Sequence, residues 1–151
     1  AFDKDLKTGA KRLEAFGDLR TAKAHMVSTM QTLIEAASKG DKEATNDATE
    51  ELVTVLGGYK NAVKGAMLIS NASTSNQVQV LARKVINDSA KIAIDAQALL
   101  KDPGNKEKQD RINKTSTNIK EHMNEVDNVL RSGFDSGSET HNARKLLEIR
   151  V

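Results

Sequence analysis

The chain has no cysteine and no tryptophan, and only one tyrosine, three phenylalanines and one proline in 151 residues. Without cysteine there can be no disulfide scaffold, no thiolate metal site and no cysteine nucleophile. That composition fits a reducing compartment. Aromatic residues make up 3% of the chain, so core volume has to come from Ala, Val, Leu, Ile and Met. The single proline, Pro103, leaves long stretches free of any helix breaker. Charge is equally featureless. The 23 basic and 21 acidic residues leave a net charge of +2, and the two signs interleave along the whole chain. A nucleic-acid binder concentrates its cations on one surface, so no nucleic-acid partner is expected. No segment is apolar for long enough to span a membrane, and the uncharged residues 71–82 are mostly polar. The start Ala1-Phe2-Asp3-Lys4-Asp5 lacks an apolar signal region, and a first residue other than Met fits an excised or processed chain.

What is present is regular punctuation. The length suits one domain of ordinary size. Gly40-Asp41 reads as a helix end followed by an N-cap. In Ser73-Thr74-Ser75-Asn76, Thr74 and Gln77 are spaced as a capping box. Asp102-Pro103-Gly104-Asn105 is the strongest turn signal, and 133–138 is a fourth breakpoint. These predict helices over about 3–39, 42–72, 75–101 and 105–132, far longer than the roughly 11-residue average helix. A bundle would occupy 1–135, and 136–151 would form a C-terminal helical tail.

Each segment carries an apolar stripe at alternating steps of three and four. The first runs Leu6, Ala10, Leu13, Phe16, Leu19, Ala22, Met26, Met30, Leu33, Ala37. The second runs Ala44, Ala48, Leu52, Val55, Tyr59, Ala62, Ala66, Ile69. The third has Val78, Ala82, Val85, Ser89, Ile92, Ala96 and Leu99, and the fourth has Ile112, Ser116, Ile119, Met123, Val126 and Leu130. A spacing near 3.5 keeps a stripe on one partner along a rod. The expected fold is therefore all-α: an up-and-down four-helix bundle of long helices. Leu146, Leu147 and Ile149 allow a short fifth helix after it. Small and polar seam residues bury little area per residue, and Gly57-Gly58 in the second rod costs about 1 kcal/mol per glycine; it reads as a kink or a close helix approach. The expectation is a bundle of modest stability whose rods can separate.

Chemistry is thin. His25 and His122 flank apolar stripes. Glu121-His122 with Glu125 resembles a diiron ligand run only loosely, since the order is wrong and no second copy exists. Gly57-Gly58 has neither the spacing nor the preceding strand of a phosphate loop. No base stands near a serine to activate it. Neither an enzyme nor a bound cofactor or metal is expected.

The sharpest signal lies in the first rod, where apolar residues recur at Leu19, Ala22, Met26, Val27, Met30, Leu33, Ile34 and Ala37. Val27 and Ile34 widen the stripe beyond a single seam, so the helix suits either its own bundle or another protein's groove. The pattern resembles the vinculin-binding helices of talin, L-x-x-A-A-x-x-V-A-x-x-V-x-x-L-I-x-x-A. Those eight residues fall on the motif, while Lys23 stands where the family favours Ala and Met twice replaces Val. The third rod matches less well, through Val78, Ala82, Val85, Ile92 and Ala96. Leu99-Leu100-Lys101-Asp102-Pro103-Gly104-Asn105 and the four-rod layout also resemble the talin rod and its vinculin and α-catenin relatives. The resemblance implies a cytoplasmic cytoskeletal adaptor at adhesion sites. Its buried helix would be exposed on opening and captured by a vinculin-type head domain, with F-actin as a further partner. Residues 143–150 resemble the last helix of talin-type actin-binding modules, which implies a homodimer through the tail. Two other classes use openable helices: exchangeable lipid-binding bundles, which favour bulkier aromatic faces, and sensory four-helix domains.

Overall fold

The computed structural model describes residues 2–135, with side chains described over 6–133. The expected tail over 136–151, its fifth helix and the dimer assigned to it lie outside the described residues. The four helices are α1 (Phe2–Ser38), α2 (Lys42–Leu68), α3 (Ala72–Lys101) and α4 (Lys106–Asp135). They form an up-and-down all-α bundle, as the stripes predict, and no strand occurs among the described residues.

The turns explain themselves locally. Gly40 has φ 70°, a conformation that costs a side chain dearly and glycine nothing. Its N–H bonds the Ala37 carbonyl at 3.1 Å and that of Asp41 bonds Ala36 at 3.0 Å, a Schellman closure of α1. Asp41 then caps α2 by accepting from the Ala44 N–H at 3.0 Å. Asn105 caps α4 through Lys108 N–H at 3.1 Å, and Gln109 Nε2 donates to the Pro103 carbonyl at 2.7 Å.

The third start differs from the reading above. Asn71, not Thr74, is the N-cap, and its Oδ1 accepts from Thr74 N–H at 2.8 Å. α2 correspondingly ends at Leu68 rather than 72. Thr74 is buried instead, against Gly133: a Cβ there would come within 2.7 Å of Thr74 Cγ2. Gly133 therefore does not stop α4, which continues to Asp135. It allows a close crossing of the start of α3 and the end of α4. Gly57 and Gly58 do the opposite of what was expected: a Cβ on either would meet nothing within 4 Å, and the helix runs through them unbroken.

The core runs the length of the bundle. Its fully buried side chains include Leu19, Met26, Met30, Leu33, Tyr59, Val78, Ile92, Ile119, Met123 and Leu130. The stripes need correction in three helices. In α2 the inward residue is Val63, with Ala62 only half-buried at the flank, because a true 3.5 period from Tyr59 reaches 63 after four steps. In α3 Leu81 is buried and Ala82 flanks it for the same reason. In α1, Leu6 is 58% and Leu13 77% exposed. α1 has 37 residues against 27 in α2, and α2 ends alongside Lys11 and Glu14. Leu6 thus lies beyond the end of its neighbour, whereas Leu13 lies alongside α2 but off the inward face that Ala15 and Leu19 mark.

Helix pairing is uneven. α1 packs most extensively on α2 and α3 on α4, and each helix pair between these two hairpins is in sparser contact. The bundle is a pair of helical hairpins laid face to face.

Candidate functional site

The eight predicted residues sit together along α1, and they face inward. Leu19 and Ala22 are buried near the N-terminal end of the run, Met26, Met30, Leu33 and Ala37 are fully buried along the rest, and Val27 and Ile34 are half-buried where the stripe meets its flanks. Periodicity missed Ala15, Thr29 and Ala36, which are also buried. Ala15 and Thr29 each immediately precede or follow a residue of the α1 stripe, and Ala36 adjoins Ala37, so a wider inward arc would have found them.

Lys23 has a structural account. Its Nζ lies 2.8 Å from Asp127 Oδ2 on α4, with both side chains about a quarter exposed. The residue that departs from the helix motif thus bridges the seam between α1 and α4. Beside that bridge runs an open groove lined by Leu13, Phe16, Arg20 and Arg131, with the Arg131 guanidinium 6.0 Å from the Phe16 ring centre. A second groove opens further along the same seam at Gln31, Ile34, Ser116 and Lys120. The α1–α4 seam is therefore open to solvent near both ends.

Buried polar groups lie mostly within their own helix. Thr45 Oγ1 donates to the Asp41 carbonyl at 2.6 Å, and Ser89 Oγ donates to Val85 at 2.7 Å. Such bonds satisfy the hydroxyl without tying one helix to another, so they survive separation of the helices. The exceptions lie inside the α3–α4 hairpin. Asp95, 6% exposed, accepts from Thr115 Oγ1 at 2.9 Å; the half-buried His122 brings Nδ1 to 3.2 Å from Asp88 Oδ2 without the alignment of a hydrogen bond. Asp95 was invisible to a search for apolar stripes, yet it lies three residues after Ile92 and four before Leu99, both stripe positions.

Tyr59 is the odd member of the core. It is 1% exposed and its hydroxyl has no hydrogen-bond partner. Burial, and secondarily the charge of Asp127, push its phenol well above the usual range. Among the described residues no group of three His, Cys, Asp or Glu side chains converges as a metal site, and no helix is long and apolar enough to cross a membrane. His25 is exposed and His122 pairs as described, so neither joins a ligand cluster.

The arrangement defines a helical bundle whose most motif-like helix is held inward. No protein family, curated protein or solved structure matches the chain.

Proposed function

We propose that the protein is a cytoskeletal adaptor that links adhesion complexes to actin in the cytoplasm, with α1 as a concealed ligand. When the bundle opens, the face carrying Leu19, Ala22, Met26, Val27, Met30, Leu33, Ile34 and Ala37 docks in the groove of a vinculin-type head domain. The observation that supports this reading is the burial of six of those residues at 9% exposure or less. A closed bundle cannot present them, so capture requires opening, and the partner's affinity must offset the opening free energy. Satisfied hydroxyls in the seams and open grooves beside α1 keep that free energy low.

Binding of a vinculin head by the isolated 17–40 peptide, compared with the whole chain, tests the proposal. The peptide binds, and the closed chain binds at least about tenfold more weakly, because each 1.4 kcal/mol of opening lowers affinity tenfold. Leu33→Ala weakens the peptide by about ten- to a hundredfold, as expected for losing one buried leucine in a groove. A peptide that fails to bind beside a working control helix removes the vinculin assignment.

A further inference from the structure

The three connections differ in what makes them bend. The α1–α2 turn has Gly40 at φ 70°, and the α3–α4 turn has Pro103 followed by Gly104. The α2–α3 connection, Ile69-Ser70-Asn71, has neither residue type, and none of its backbone lies at positive φ. Its bend is held by side chains. Asn71 Oδ1 accepts from Thr74 N–H at 2.8 Å. The Ser70 and Ser75 hydroxyls both donate to the Met67 carbonyl, at 3.0 and 3.1 Å, and lie 2.9 Å from each other. Nothing covalent or conformational prevents these residues from entering a helix, where Ile, Ser and Asn are only mildly unfavourable compared with glycine or proline.

This connection joins the two hairpins, whose contact with each other is divided among three helix pairs, each sparser than the pairing inside a hairpin. Away from the bend itself, the hairpins are tied by the Lys23–Asp127 bridge and an exposed Gln97–Asn46 hydrogen bond at 3.3 Å.

We propose that residues 69–71 are a hinge at which the two hairpins part, and that a second copy of this chain takes up the uncovered faces in a domain-swapped dimer with α2 and α3 merged into one helix. The second copy is the occupant because complementarity is guaranteed. Each hairpin's inner face already fits the other hairpin, so exchange restores the same contacts between chains. Merging adds backbone hydrogen bonds through the former caps and gives up the side-chain bonds of the bend. The two states thus differ mainly in the entropy of association, and protein concentration decides between them. The merged helix runs from Lys42 to Lys101 and is about 90 Å long, against about 55 Å for α1, the longest helix among the described residues. The inference uses the opening invoked for α1 but reads association of the chain alone, so it and vinculin capture can fail independently.

The whole chain, refolded at millimolar concentration, is tested by light scattering and small-angle X-ray scattering. A dimer with a maximum dimension near or above about 90 Å is expected. Ala72→Pro supplies the discriminating variant. Ala72 is the first residue of α3, where proline is well tolerated, and Asn71 already holds the extended ψ of 165° that a residue before proline adopts. Inside a merged helix the same ring removes a hydrogen bond and clashes. Ala72→Pro should keep the monomer intact and weaken dimerisation more than about a hundredfold. Asn71→Ala combined with Ser75→Ala removes bonds of the bend and should strengthen dimerisation about tenfold or more. If that double variant does not fold, wild type against Ala72→Pro decides alone. A wild type that stays monomeric, a dimer no longer than the monomer, or an Ala72→Pro chain that dimerises like wild type each overturns the proposal.

Discussion

Tyr59 shows how much one side chain can report about this fold. Its hydroxyl is buried without a partner, an arrangement that costs about 1–3 kcal/mol. Tyr59→Phe keeps the ring and removes the cost, so it should raise stability by about 1 kcal/mol in urea titrations at neutral pH. Alkaline behaviour follows from the same burial. The phenol's pKa is raised above its ordinary 10.0, so the fold favours the neutral form. The corresponding stability is complete below pH 10 and is lost as pH climbs above 10.0 towards the folded-state value. Wild type should therefore weaken more steeply than Tyr59→Phe above that pH in parallel denaturant titrations. Leu33 sits at the other extreme, fully buried and apolar. Leu33→Ala leaves a cavity, and the intact bundle should lose about 2–5 kcal/mol in the same titrations.

At the scale of the helix, the glycines separate into two kinds. Gly57 and Gly58 lie where an added methyl meets nothing, so Gly57→Ala and Gly58→Ala should each stabilise by about 1 kcal/mol, raising the thermal midpoint. Gly133→Ala forces a methyl into Thr74, which is itself buried, and should lower the midpoint instead. The sequence pattern could not distinguish these. Glycine carries the same local message in both places, and only the crossing of α3 and α4 decides which one is structural. The Thr74 misreading has the same root: its spacing suits a cap, but Asn71 three residues earlier satisfies the very N–H in question. By contrast, Gly40-Asp41 was legible because a left-handed glycine followed by a side-chain cap is a purely local solution. Asp95 was hidden by its charge, although its register placed it inward.

At the scale of the molecule, the stripes specified the bundle because one-sided burial at a 3.5 spacing has few other solutions. They could not specify what α1 does. A helix that fills its own core and a helix that fills another protein's groove require the same spacing of Leu19, Met26, Met30 and Leu33, so the eight site residues are legible as a stripe and silent about its occupant. Pairing into hairpins adds what the stripes left out. If the hairpins are the cooperative units, native-state hydrogen exchange should show buried amides of α1 and α2 opening together, with one common free energy, rather than α1 opening alone.

The even number of helices among the described residues also fixes how a pull is felt. The first helix begins and the last one ends at the same pole, where Phe16 meets Arg131. Tension applied at Phe2 and Asp135 therefore draws the α1–α4 seam apart one layer at a time, like a zip, instead of sliding the rods past each other. Layers break in succession, so the load falls first on the groove around Leu13 and Phe16 and then on the Lys23–Asp127 bridge.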